Sequence, residues 1–210
     1  MNTTLNMEYN YYCIKHGEKY SAKHVNYLYT NLPNLTCLTD NPKDIHKNVN
    51  VLPLPDFDLE KWWYKMCFFS TELFPEPGIF LDLDLEILRH LNGKLEKDNP
   101  YMRLFKCDWE NLEELNVNTI GNRYKYCSIN SSVMAWDKST DRDFIWNDFI
   151  YNKDKIVKLF HGIDPYLEHR HLDKLSFYES GIMSSNRCRP NAEVYIMSYD
   201  GEDKDVLTYL

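Results

Sequence analysis
The sequence predicts an α/β fold: a single domain with a mostly parallel central sheet flanked by helices, followed by a more irregular second half. Three observations carry this reading. Short apolar runs alternate with amphipathic runs through the first 90 residues. Clusters of Pro, Asn and Asp punctuate those runs. The 210 residues, 43% hydrophobic and 27% charged, suffice for one large core without staples.

Each element has its own signal. Tyr11–Ile14 reads as a first strand. Tyr20–Leu32 carries Val25, Leu28, Tyr29 and Leu32 at helical spacing. Leu35–Leu38 is a second strand, closed by the turn cluster Thr39-Asp-Asn-Pro42. Val49–Leu54 is a third, stopped by Pro53 and Pro55. Asp58 is the expected N-cap of a helix through Trp62, Trp63, Met66 and Phe69, a spacing that assigns both indoles to the core. Pro75-Glu-Pro-Gly78 ends it, and Ile79–Leu88 follows as a strand or strand pair. Further on, Tyr126–Ile129 and Val133–Trp136 read as paired strands, Arg142–Phe160 as a helix and Glu193–Met197 as a late strand. Ligands of open α/β sheets bind beyond the carboxyl ends of the strands, so the loops after Ile14, Leu38 and Leu83 are the places to search.

Composition excludes several functions. Net charge is −8, the wrong sign for sequence-blind nucleic-acid binding. The seven glycines are too dispersed for a dinucleotide fingerprint or a P-loop. No apolar run has the length of a membrane span, and the polar opening residues lack a signal-peptide pattern. A cytoplasmic location is expected. The six cysteines form no CxxC pair and lie mostly in apolar runs, which reads as buried free thiols.

Chemistry concentrates in Gly78-Ile-Phe-Leu-Asp-Leu-Asp-Leu-Glu-Ile-Leu88. On a continuous strand, Asp82, Asp84 and Glu86 share one face. Three carboxylates in a row repel one another and call for a cation. A hard divalent ion, Mg²⁺ or Mn²⁺, completed by substrate phosphates, answers that need. A solvated acidic face answers the same pattern.

Two segments, Asp58-Leu-Glu-Lys-Trp-Trp-Tyr-Lys65 and Ile79-Phe-Leu-Asp-Leu-Asp84, resemble nucleotide-sugar glycosyltransferases of the GT-A type. Members of that superfamily carry Asp-x-Asp at the end of a central strand, after a helix with a Trp/Lys signature. Cys13-Ile-Lys-His-Gly-Glu-Lys-Tyr20 resembles their first strand and nucleotide loop. Cys37-Leu-Thr-Asp40 resembles the second strand and the acid facing the base. Asn130-Ser-Ser-Val-Met134 resembles the stretch lining the sugar pocket. The likeness extends over Tyr11–Trp136, and compact domains of this style decorate capsid glycans in some large algal viruses.

The resemblance implies a GT-A-like domain, with residues 1–90 as the nucleotide-binding half and 91–210 as the sugar and acceptor half. It implies a UDP-sugar donor, Mn²⁺ or Mg²⁺, a glycan or glycoprotein acceptor, and retention of configuration. Asp84 would bind the metal, and Asp82 the metal or the ribose. His16, Gly17, Lys19 and Tyr20 would line the nucleotide, and Asp40 would accept the base N–H. Asp40 also fits an Asx-turn with Asn41-Pro42. Lys65 or Lys19 would add positive charge near the phosphates; an ordinary solvated lysine is the alternative for both, and the better reading for Lys19. Asn130 and Ser131 would meet the sugar. The second half departs from the pattern. An expected Asp-Gln pair is Asp164-Pro165 here, leaving Asp164 as the contact to the transferred sugar or as a helix N-cap. The expected tail histidine is missing from Ser198-Tyr-Asp-Gly-Glu-Asp-Lys204, leaving Asp200 as a substitute third ligand. Two other readings compete: a haloacid-dehalogenase-type phosphatase, whose Asp-x-Asp normally follows the first strand, and a non-catalytic carbohydrate-binding domain.

Overall fold
The computed structural model describes residues 9–32, 34–91, 93–96, 99–107, 119–120, 123–124, 127–186, 194–199 and 207. The first strand, β1 (Asn10–Lys15), is followed by α1 (Ala22–Asn31), β2 (Leu35–Thr39) and β3 (Asn50–Pro53). A 3₁₀ segment, Lys61–Phe69, leads to β4 (Gly78–Leu81) and β5 (Leu85–Ile87). Next come β6 (Met102–Lys106), the small hairpin β7 (Thr119–Ile120) and β8 (Arg123–Tyr124), and the long β9 (Ile129–Trp136). The chain closes with α2 (Asp143–Leu159), α3 (Ile163–His171), β10 (Leu175–Phe177), β11 (Met183–Ser185) and β12 (Ile196–Ser198).

Seven strands form the central sheet in the order β10-β6-β9-β4-β1-β2-β3. All neighbours pair in parallel except β9, which runs antiparallel to both β4 and β6. The predicted mixed α/β architecture is therefore present, with one reversed strand in its middle. That reversal brings the polar start of β9, Asn130-Ser131-Ser132, to the edge where β1, β2 and β4 end. Among the described residues, no helix is long and apolar enough to cross a membrane.

Local chemistry explains the elements. Every residue of β2 is buried, as a strand covered on both faces requires. β3 is exposed throughout and ends at Pro53, which suits the outermost position. The ring Nδ1 of His24 accepts the Ser21 backbone N–H at 3.2 Å, closing the start of α1. Gly78 admits the Trp136 indole: a Cβ there would lie 2.3 Å from the ring and 2.8 Å from Tyr12. One face of the sheet carries an aromatic core around Phe68, Phe74, Phe80 and Trp136; the other carries a mainly aliphatic one around Val25, Leu28, Ile79 and Leu81.

Several local expectations are corrected. Ile129 and Val133–Trp136, expected on two paired strands, lie on one strand, β9, and Tyr126 lies outside the described residues. The late strand begins at Ile196. Glu60, not Asp58, is the N-cap of the Lys61–Phe69 segment. Asp58 instead lies in the left-handed region with φ 50°, its carbonyl accepting the Lys153 ammonium at 3.2 Å. The segment is a 3₁₀ helix, which changes which ring faces inward: Trp63 is buried, whereas Trp62 is 38% exposed. Cys13, Cys37 and Cys67 are buried free thiols, Cys107 is buried and Cys127 half-buried, while Cys188 lies outside the described residues.

Candidate active site
The acidic row is not one strand face. β4 stops at Leu81, the chain turns through Asp82-Leu83-Asp84, and β5 starts a second sheet with β11 and β12. Buried Leu83 anchors the turn, and Asp82 continues the ladder by donating its N–H to the Ser132 carbonyl at 2.8 Å. Glu86 is carried away on β5, where its carboxylate accepts the Tyr199 hydroxyl at 2.6 Å. Asp82 and Asp84 remain at the sheet edge.

Two distant segments reach that edge. Lys65, from the 3₁₀ segment, places its ammonium 2.5 Å from Asp82 Oδ2. Asp164, in the first turn of α3, accepts the Ser131 backbone N–H at 3.1 Å. The N-cap of α3 is Gly162, so the capping role expected for Asp164 is replaced by this tie to β9. Asn130 holds the same bend, its Oδ1 accepting the Ser132 N–H at 2.8 Å.

Like charges meet at this cluster. Burial pulls the Lys65 ammonium down, but the charges of Asp82, Asp164 and Asp84 outweigh it and hold its pKa above the ordinary value. Burial and the charges of Asp84 and Asp164 push Asp82 up to about 6, against the pull of Lys65. Among the described residues three carboxylates thus face one ammonium, and their oxygens are the donor chemistry that suits Mg²⁺ or Mn²⁺. Among the described residues no group of three His, Cys, Asp or Glu side chains is preassembled for a metal. Two carboxylates are an adequate protein contribution for an ion that keeps waters and takes substrate phosphates.

The ends of β1 and β2 adjoin through a latch. Gly17, at φ 65°, donates its N–H to Asp40 Oδ2 at 3.0 Å, and His16 Nε2 lies 4.0 Å from the same oxygen. Gly17 supplies the positive φ that a side chain would resist. The Asx-turn at this corner belongs to Asn41, whose Oδ1 accepts the Lys43 N–H at 3.1 Å, and not to Asp40. Tyr20 crosses to the carboxylates and donates its hydroxyl to Asp84 Oδ2 at 2.8 Å. Lys19 is exposed, with its ammonium 4.5 Å over the Tyr20 ring. Asp200 lies outside the described residues; its neighbour Tyr199 donates its N–H to the Asp84 carbonyl at 3.1 Å.

Sequence reasoning missed Lys15. This buried lysine ends β1 and donates to the Asn41 carbonyl at 3.3 Å, bracing the β2 corner. A lysine closing an otherwise apolar strand was its only signal. A separate cleft of about 320 Å³ opens between residues 58–60 and α2, lined by Leu59, Trp63, Lys153 and Lys158 among others. It shares no residue with the carboxylate cluster.

No protein-family model and no curated protein matches the chain by sequence. Solved structures do match by fold. The glycosyltransferase GlyE of Streptococcus pneumoniae TIGR4 aligns with a TM-score of 0.64 at 11% identity, over 93% of this chain and 56% of its own. This chain therefore spans little more than half the length of GlyE. The galactosyltransferase LgtC, solved with donor and acceptor sugar analogues, aligns with a TM-score of 0.59 at 11% identity, over 92% of this chain and 87% of its own. A glycosyltransferase involved in glycosylation of the major capsid of PBCV-1 aligns with a TM-score of 0.54 at 11% identity, over 93% and 95% of the two chains. The chain has the fold of the GT-A glycosyltransferases.

Proposed function
We propose that the chain is a metal-dependent glycosyltransferase that moves a sugar from a UDP-sugar to a glycan or glycoprotein acceptor, with retention of configuration. The observation that carries this reading is the convergence of Asp82, Asp84, Asp164 and Lys65 at one edge of a mainly parallel sheet, where β1, β2 and β4 end. Its three carboxylates offer the oxygen ligands that suit a divalent ion joined to a diphosphate. The fold likeness to several glycosyltransferases supports the same class. The near-complete overlap with the compact PBCV-1 capsid enzyme supports a capsid glycan as one form of acceptor.

In this reading Asp84 and Asp82 hold Mn²⁺ or Mg²⁺, with Asp200 as the candidate third ligand. The ion supplies Lewis-acid stabilisation for the departing diphosphate. Tyr20 fixes the Asp84 carboxylate through its hydroxyl. Lys65 orients Asp82 and adds positive charge where the phosphate charge develops. His16, Gly17, Lys19 and Tyr20 border the nucleotide, with Asp40 toward the base edge. Asn130, Ser131 and Asp164 meet the transferred sugar, Asp164 being held in place by the Ser131 N–H. Retention is carried over from the resemblance in the sequence, and NMR of the anomeric proton in the product checks it.

The test is calorimetric titration of UDP with and without Mn²⁺. Wild type is expected to bind UDP tightly only with Mn²⁺, and Asp84→Ala to lose at least about 100-fold in that affinity while keeping its melting profile. Wild-type affinity in that variant would sink the metal assignment. Release of free UDP across a panel of UDP-sugars then identifies the donor.

A further inference from the structure
The 3₁₀ geometry of Lys61–Phe69 has a consequence for Trp62. At three residues per turn, positions i and i+3 eclipse and stand about 6 Å apart along the axis. Trp62 and Lys65 therefore share one face of the segment. Lys65 is the ammonium at Asp82; Trp62, one turn earlier, is 38% exposed. The other tryptophan of the segment, Trp63, is buried and stacks on Phe149 at 5.4 Å. The core thus uses one of the two indoles and leaves the other at the surface beside the site.

A second segment repeats the arrangement. Asp164 faces Lys65 electrostatically, and two and three residues before it Gly162 and His161 lie against Trp62. The His161 ring meets the indole edge-to-face at 5.5 Å. A Cβ at Gly162 would come within 3.4 Å of the indole Nε1. The two segments therefore approach at two levels: Lys65 senses the Asp164 charge inside, and Trp62 meets His161 and Gly162 one turn outward. The Lys61 ammonium lies 5.6 Å over the indole on an exposed, yielding side chain.

We propose that Trp62 and His161 form a stacking shelf for a pyranose ring of the acceptor, one ring outward from the carboxylate–lysine centre. An exposed indole offers an apolar face to the C–H face of a sugar. The His161 ring, the Lys61 ammonium and the indole N–H offer polar partners for its hydroxyls. A spacing of one 3₁₀ turn sets such a ring beside the transferred sugar rather than on top of it. That the ring belongs to the acceptor rests on the glycosyl-transfer reading; the shelf itself does not.

The experiment is saturation-transfer NMR on the full chain, with methyl pyranosides of the common hexoses, 6-deoxyhexoses and pentoses as probes. UDP binding in Mn²⁺ is measured alongside. At least one pyranoside is expected to receive saturation through its C–H face. That signal should fall about fivefold or more in Trp62→Ala and persist in Trp62→Phe. UDP affinity should be unchanged in both variants. Saturation of no pyranoside by wild type, or an undiminished signal in Trp62→Ala, overturns the shelf. An intact pyranoside signal in a wild-type protein that fails to bind UDP with Mn²⁺ would sink the donor reading and leave the shelf standing.

Discussion

Two acidic clusters in this molecule obey opposite rules. Asp148, on α2, is saturated with partners: Arg170 grips it with Nε at 3.0 Å and Nη2 at 2.8 Å, Tyr166 donates at 2.9 Å, and His171 Nε2 lies at 3.0 Å. Burial pushes that carboxyl up, but its bonds to Arg170, Tyr166 and His171 outweigh burial and hold it below the usual range. Asp82 has one cationic partner and two anionic neighbours, and it is pushed up to about 6. The Asp148 cluster is complete within the chain and serves to join α2 to α3. Among the described residues the Asp82 cluster sets three carboxylates around one ammonium. A carboxyl pushed up by burial and like charge marks a candidate site, whereas one held down by its own partners is a strut.

The largest expected effect breaks the Asp82 cluster. Lys65→Met is expected to lower turnover of the UDP-sugar about 100-fold or more, while UDP affinity in Mn²⁺ changes far less. Equal losses in both would make Lys65 a binding residue and nothing more. Breaking the saturated cluster should do the reverse. Asp148→Ala removes the carboxylate that Arg170, Tyr166 and His171 share, leaving the buried Tyr166 hydroxyl only the Ile145 carbonyl at 3.4 Å and the His171 ring, and is expected to cost about 2 kcal/mol of stability by urea denaturation. UDP affinity should not move.

The subtlest prediction concerns pH. A carboxyl with a raised native pKa keeps a proton that the unfolded chain has already released. Its contribution to stability is therefore lost as pH rises from about 4 toward about 6. For Asp148, whose native pKa is lowered, stability is lost as pH falls below the ordinary carboxylate value. In EDTA, the melting temperature of Asp82→Asn relative to wild type should thus climb between pH 4 and 6. In saturating Mn²⁺, which binds the ionised form, the climb should vanish. A flat difference in EDTA would mean that Asp82 carries no surplus charge.

Much of the first half was legible because local patterns and tertiary placement agree there. Tyr11–Ile14, Leu35–Leu38 and Val49–Leu54 all appear as strands within a residue or two of their predicted bounds. The helix from Ala22 buries Val25 and Leu28 as its spacing requires. Asp82 and Asp84 do lie together at the sheet edge, but the pattern that grouped them was partly misread. The alternation that grouped them with Glu86 assumed an unbroken strand, whereas the chain changes sheets between Leu81 and Leu85. Trp62 was assigned to the core because an α-helical period was assumed; the 3₁₀ period turns it outward.

The sequence by itself determined the alternating elements, the acidic pair and the candidate residues around it, because periodicity and turn chemistry act over a few neighbouring positions. Tertiary structure alone decided that β9 runs backwards through the sheet and so delivers Asn130 and Ser131 to the site edge. It alone joined Lys65 to Asp82, Tyr20 to Asp84 and Asp164 to Ser131, pairs separated by 17, 64 and 33 positions. Such pairings carry no local signature. They form because burial of the aromatic and aliphatic faces fixes the elements in space, and the polar side chains at their ends then meet.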